Sequence, residues 1–349
     1  MDAPPESDVE ALLALIPRWI LSGIAPYEPR HIEELVMDLG RPPRIRFRDG
    51  APALCLSEEV SRGDLQYVLG RVTRFREDNR TGIDRTLHRI ACIRDRYHEI
   101  IGFTFRAGWT IEGAARPVAD LLTGGQNVLV VGPPGAGKTT LLRSAAAIFA
   151  DELHRRVVIA DTSNEIGGDG QTPHPAIGSA RRLQIPLADP GCPAAGSTQA
   201  QIILQAVVNH GAEVIIVDEI GFEHDARIVR TIARRGVQLV ATAHGRRLRD
   251  VVLNPDLAGL VGSPRAVPLS LKEMAQRNTT KHTVLERTEP PVFEHVVEVA
   301  RRDLFIVHKD TAGSVDQLLA GLAPATEIRR PTPATAEPEL HTRGRTVVV

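Results

Sequence analysis

The chain has 349 residues, 42% of them hydrophobic and 24% charged, with a net charge of −1. That length allows two domains and a large core, and the near-neutral charge gives no global argument for a nucleic-acid or acidic-membrane partner. Cys55, Cys92 and Cys192 lie far apart without a C-x-x-C pair, no apolar run approaches the ~20 residues of a membrane span, and the acidic start (Met-Asp-Ala-Pro-Pro-Glu) lacks the order of a signal peptide. These features exclude a disulfide scaffold and a zinc ribbon, and they lead us to expect a cytoplasmic protein in a reducing compartment.

Residues 8–21 carry apolar positions at helical spacing (Val9, Leu12, Leu13, Ile16, Ile20), interrupted by Pro17. Residues 35–39 and 44–47 read as strands around the Gly40–Pro43 turn, and 61–75 as a helix capped by Ser61. Residues 87–93 and 99–105 alternate like a hairpin around a charged turn. Residues 1–112 are thus expected to form a smaller α/β N-terminal domain, followed by a linker near Gly108–Arg116.

From residue 117 the pattern alternates strand and helix. Strands are predicted at 127–131, 157–160, 213–217 and 237–243, and helices at 137–150, 198–209 and 224–235. Such alternation implies right-handed βαβ units around a parallel sheet. Residues 113–265 form this predicted core. After Gly262 the segments 283–286, 293–299 and 304–308 read as antiparallel strands, so 266–310 is expected to be a C-terminal antiparallel β segment. The Pro-, Thr- and Ala-rich residues 311–349 are expected to be a mostly disordered tail.

The strongest signal is Gly132-Pro133-Pro134-Gly135-Ala136-Gly137-Lys138-Thr139-Thr140, placed directly after the apolar run 127–131. The spacing G-x-x-x-x-G-K-T between a buried strand and a helix makes a phosphate-binding loop. Its glycines let successive N–H groups curl inward, and the helix start adds partial positive charge. Lys138 is expected to reach the β- and γ-phosphates and Thr139 to ligate Mg²⁺. Eighty residues on, Glu213-Val-Ile-Ile-Val-Asp218-Glu219 reads as a central strand ending in two carboxylates. Asp218 is expected to hold Mg²⁺, and Glu219 to polarise the attacking water. The guanine-reading N-K-x-D pattern is missing from the sequence, which favours ATP.

Three further groups have two readings each. The Asp161–Gly170 run is either a solvated turn or a loop that orients Mg²⁺ or water through Glu165. Thr242 and His244, at the tip of the strand ending near 243, are either plain polar residues or sensors of the γ-phosphate. Arg89, Arg94, Arg181 and Arg182 are either salt-bridge partners or arginine fingers reaching across a subunit boundary.

Together these segments resemble a known family. Asp161-Thr-Ser-Asn-Glu-Ile-Gly-Gly-Asp-Gly170, His174-Pro-Ala-Ile-Gly-Ser-Ala-Arg-Arg182, Gly236-Val-Gln-Leu-Val-Ala-Thr-Ala-His-Gly245 and Thr283-Val-Leu-Glu-Arg287 are similar to the stage III sporulation protein AA group of P-loop ATPases. Its cyanobacterial and chloroplast branch, the hypothetical chloroplast reading frame forty-five type, is the better fit. The resemblance implies a RecA-like ATPase core, often labelled AAA and related to hexameric secretion and pilus ATPases. It implies ATP and Mg²⁺ as ligands, a homo-oligomer of hexamer type and a protein client. It also implies an acidic box at Asp161 and Glu165, a histidine box at His244, and completing arginines such as Arg89 and Arg94. Many members of the branch carry a C-terminal single-stranded nucleic-acid module with an Arg-x-x-x-His signature. The last residues here do not show it, and Arg94 and His98 have that spacing in the N-terminal domain instead. The expected function is therefore Mg²⁺-dependent ATP hydrolysis driving conformational work in a ring. A nucleic-acid-dependent ATPase using the arginines of 71–106 and a nucleotide-gated scaffold are the alternatives.

Overall fold

A computed structural model describes residues 6–28, 31–48, 52–76, 78–184, 199–276, 280 and 282–331. The chain divides into two compact units.

Among the described residues, the first unit holds those from 6 to 112 together with 167–177. Helices α1 (Glu6–Leu13) and α2 (Arg18–Ile24) are separated at Pro17, whose missing N–H and fixed φ break the pattern there. Strands β1 (Ile32–Asp38), β2 (Arg44–Phe47) and β3 (Leu54–Cys55) follow, then α3 (Arg62–Leu69) and strands β4 (Arg80–Gly82), β5 (Arg89–Arg94) and β6 (Ile100–Arg106). They form a six-stranded sheet in the order β3-β2-β1-β6-β5-β4. Ser61 caps α3 through a reciprocal box with Asp64, and the helix stops at Gly70, short of the residue 75 that periodicity suggested. Leu12, Ile16, Ile20, Leu35, Met37, Ile45, Ile90, Phe103 and Phe105 pack the core between helices and sheet.

Among the described residues, the second unit holds 113–166, 178–184 and those from 199 to 331. After α4 (Ala119–Thr123) come β7 (Val128–Val131), α5 (Lys138–Ala147), β8 (Val157–Asp161), β9 (Arg181–Gln184), α6 (Gln199–Val208), β10 (Val214–Ile220), α7 (Glu223–Ala233), β11 (Gln238–Ala243) and α8 (Leu248–Leu253). Strand β12 (Pro264–Pro268), helix α9 (Leu271–Gln276), strands β13 (Thr283–Arg287), β14 (His295–Arg301) and β15 (Leu304–His308), helix α10 (Thr311–Leu319) and strand β16 (Glu327–Arg329) complete it. One eight-stranded sheet runs β16-β15-β14-β7-β11-β10-β8-β9, while β12 and β13 pair separately. Strands β7, β8, β10, β11 and β14 pair in parallel with one another. Val128–Val131 are buried throughout, as expected of a central strand covered on both faces.

Three expectations need correction. The segment 293–299 does pair antiparallel with β15, but β14 also lies parallel beside β7, with Glu298 opposite Val131. It therefore extends the main sheet and is not part of a separate antiparallel layer. Residues 311–329 are not tail: α10 is capped by Asp310, and Arg329 of β16 is tied by ion pairs to Asp120 and Glu327. The remainder of the predicted tail, from 332, lies outside the described residues. Residues 167–177, expected within the core, pack in the first unit, where buried Asp169 lies 2.6 Å from Arg76 and His174 lies 2.9 Å from Asp8.

Candidate functional site

In a parallel sheet the C-terminal strand ends gather at one edge, and ligands bind there. Here β7, β8, β10 and β11 deliver the phosphate loop, Asp161, Asp218–Glu219 and Thr242–Ala243 to that edge.

The loop from Gly132 to Gly137 leaves β7 and enters α5 at Lys138. Gly135 and Gly137 have φ of 75° and 105°, a left-handed backbone that glycine adopts without strain. A Cβ at Gly132 would collide with the carbonyl oxygen of Val299 in β14. The Gly132 N–H donates to the Gly245 carbonyl at 2.9 Å, tying the loop to the residues after β11. The Lys138 ammonium donates to the carbonyls of Gly132 (2.8 Å) and Pro133 (3.4 Å), within the loop it closes. Thr139 and Thr140 sit in the first turn of α5.

Asp218 and Glu219 are adjacent in sequence but differ physically. Asp218 is 4% exposed. Burial pushes its carboxyl up to about 7, the neighbouring Asp161, Glu165 and Glu219 charges add to the shift, and a hydrogen bond from the Ser163 hydroxyl opposes it. Glu219 has a positive φ of 53°, and the pairing of β10 with β11 shifts register around it. The αL conformation costs a non-glycine residue roughly 1–2 kcal/mol and here turns the side chain outward. The Glu219 N–H donates to the Thr242 hydroxyl at 2.9 Å, and the Gln199 amide donates to the carbonyls of Asp218 (2.9 Å) and Glu219 (3.3 Å). Glu219 Oε1 lies 3.2 Å from His244 Nδ1, with both side chains about half or more exposed.

Beneath the edge lies a cation that sequence reading missed. Arg143, on α5, is 5% exposed and donates to the carbonyls of Ile166 (2.7 Å) and Glu165 (2.5 Å). Burial lowers its pKa to about 10, opposed by Asp161, Glu165 and Asp218. An arginine in a helix ordinarily reads as a solvated face, so only the flanking apolar Leu141, Leu142, Ala145 and Ala146 hinted that this turn is covered. Ser163 and Gln199 were missed as well, because their signal is the partner they find in space.

Arg181 and Arg182 of the second unit lie away from this edge. Arg181 and Arg182 pair with Val158 and Ile159, near the start of β8, and Arg181 lines a basic recess with His154, Arg155, Arg156 and His210. Arg89 and Arg94 belong to the first unit. Arg89 faces buried Asp169 at 3.8 Å, and Arg94 donates to Asn79 (2.9 Å) and to the His98 carbonyl (2.7 Å), closing the β5–β6 turn. The Arg94/His98 spacing therefore serves a hairpin.

Among the described residues no three His, Cys, Asp or Glu side chains form a group that could hold a metal alone. The edge nevertheless suits a divalent cation carried by phosphates. It places the buried Asp218 carboxyl near Asp161 and Glu165, and it offers the Thr139 hydroxyl, a hard oxygen donor.

A glycine-rich loop between β7 and α5, at the C-terminal edge of parallel strands, is the arrangement of a P-loop nucleotide-binding core. The chain belongs to the ycf45 family. The family model described as "Sporulation stage III, protein AA" matches residues 95–267. The uncharacterised protein ycf45 of Cyanidium caldarium is 33% identical over 93% of this chain and 94% of its own length. Its namesake in Porphyra purpurea is 44% identical over 93% of this chain. The chain spans only 56% of the Porphyra protein, about half the length of some curated relatives it matches. Among solved structures, the ATPase DotB of Legionella pneumophila is similar with a TM-score of 0.48 and 14% identity, covering 74% of this chain and 78% of that one. No helix among the described residues is long and apolar enough to cross a membrane.

Proposed function

We propose that the chain hydrolyses ATP with Mg²⁺ and works as a six-membered ring upon a protein client. The observation that carries this reading is the convergence at one sheet edge of the phosphate loop, buried Asp218, and a Glu219 held out of line beside Thr242 and His244.

Backbone N–H groups of Gly135 to Thr139 bind the phosphates, and Lys138 leaves its carbonyl partners to neutralise the β- and γ-oxygens. Mg²⁺, when bound through Thr139 and Asp218, supplies charge neutralisation on the phosphate oxygens. The half-exposed Glu219 orients a water and accepts its proton. Thr242 fixes the Glu219 backbone, so a shift at the γ-phosphate position is felt in β11, while His244 holds the Glu219 carboxylate. Arg143 keeps the Glu165–Ile166 carbonyls, and with them the acidic loop, against α5. Glu165 takes its place in the acidic box, and the arginine that completes a neighbouring subunit's site is sought among Arg89, Arg94, Arg181 and Arg182.

Of the nine arginines of 71–106, at least four have partners within the first unit: Arg71 over Tyr67, Arg76 on Asp169, Arg94 on Asn79 and Arg106 on Glu34. This weighs against a nucleic-acid track built on them. The reading is tested by steady-state ATP turnover of the wild type against Lys138→Ala and Glu219→Gln. Equal turnover in all three overturns it.

A further inference from the structure

The turn that follows the strand beside the phosphate loop carries a guanidinium that no role above uses. Strand β14 keeps register with β7 only to Glu298, opposite Val131. There β7 turns into the loop, while β14 runs on through Val299, Ala300 and Arg301 before the hairpin to β15. The extra residues travel alongside the loop: the Val299 carbonyl fills the space a Cβ on Gly132 would need, and Arg302 Cγ lies 3.7 Å from where a Cβ on Gly137 would stand. The pairing of β14 with β15 shifts register between Val299 and Arg301, and such irregularities re-aim side chains.

The hairpin is anchored from below. Glu298 accepts the Leu248 N–H at 2.7 Å and lies 3.1 Å from His308 Nε2, and His308 Nδ1 meets the Ser314 hydroxyl at 3.1 Å, all buried. At its tip, Arg301 is 3.6 Å from Asp303, whereas Arg302 is exposed and has no ion-pair partner among the described residues. A guanidinium left unpaired, with its stem against the glycine that precedes the loop lysine, fits one ligand class: a phosphate-bearing anion.

We propose that Arg302 contacts the phosphates of nucleotide bound in the same subunit, supplied in cis by the β14–β15 hairpin. This rests on the nucleotide-site reading above. Its chemistry is charge-assisted hydrogen bonding, with no bond made or broken by Arg302 itself.

The test is the affinity of the full chain for the fluorescent analogue mant-ATP with Mg²⁺, measured at several salt concentrations alongside turnover. Arg302→Ala should weaken binding about tenfold and flatten its salt dependence, Arg302→Lys should fall between, and Arg301→Ala should bind as wild type. Thermal melting of each variant separates loss of contact from loss of fold, and for an exposed hairpin residue the melt should not move. Wild-type affinity and salt dependence in Arg302→Ala would overturn the proposal while leaving the site reading intact. A wild type that does not bind mant-ATP, or a Lys138→Ala variant that binds equally well, would overturn both.

Discussion

Glu219 Oε1 lies 3.2 Å from Nδ1 of His244, and the two residues reach that distance by different means. His244 follows the end of β11, a strand parallel to β7, and its neighbour Gly245 accepts the Gly132 N–H. Glu219 gets there by leaving regular strand geometry at φ 53°. A carboxylate kept out of the buried row, while Asp218 stays in it, gives two acids in consecutive positions two separate environments.

Thr242 is what holds the Glu219 N–H, so Thr242→Val should loosen the bend without touching the phosphate loop. The expected result is turnover reduced about tenfold or more with nucleotide affinity within about twofold of wild type, read by steady-state kinetics and equilibrium binding. Equal losses in affinity and turnover would instead assign Thr242 to ground-state binding.

Asp218→Asn separates stability from function. The folded carboxyl is raised to about 7 from an ordinary 3.8, so between about pH 4 and 7 the folded chain binds more protons than the unfolded one. Stability contributed by that proton is full below pH 4 and is lost as pH rises through 7. The asparagine side chain does not ionise, so at pH 8 without nucleotide the variant should be more stable by on the order of 2–4 kcal/mol, with turnover abolished. Thermal melts across pH 4.5–8 check this, and a variant that melts lower at pH 8 contradicts the buried-charge account.

Arg143→Met removes a buried cation and leaves two carbonyls and a carboxylate cluster without it. Breaking such a network should cost about 3–5 kcal/mol in denaturant unfolding, with Arg143→Lys recovering little, because one ammonium cannot replace two diverging N–H donors. A loss below about 1 kcal/mol would show the Glu165–Ile166 turn holds itself.

How much of this was legible varies with how local each signal is. Strands β7, β8, β10 and β11 are buried on both faces and so announce themselves as short apolar runs. The phosphate loop and Asp218–Glu219 are written as motifs. The parallel seat of β14 beside β7 was not legible, because its alternation is equally satisfied by the local hairpin with β15 and the choice of second partner is made at a distance of over 160 residues in sequence. Helix α10 was hidden by small polar residues whose burial depends on partners such as His308. Arg143 and Arg302 look alike in sequence, and only the covering elements make one a buried clamp and the other an exposed probe.

His88 gives the first unit an acid limit. Its Nδ1 accepts the Gly108 N–H at 3.1 Å and its Nε2 meets the Asp8 carbonyl at 2.8 Å, so the neutral ring satisfies both neighbours. Burial lowers its pKa, which means the unfolded chain takes up a proton near 6.5 before the folded one does. Stability should fall as pH drops below about 6.5, and His88→Gln should flatten that slope in melts from pH 7.5 to 5.5. An unchanged slope would place the acid sensitivity elsewhere.

The central claim is that Glu219 acts on water at a γ-phosphate held by the loop around Lys138. Its most direct measurement is paired: mant-ATP affinity and steady-state phosphate release for wild type, Glu219→Gln and Lys138→Ala under one set of conditions. The account predicts that Glu219→Gln binds as wild type but releases phosphate at least a hundredfold more slowly, while Lys138→Ala loses binding. Phosphate release by Glu219→Gln at the wild-type rate would contradict it.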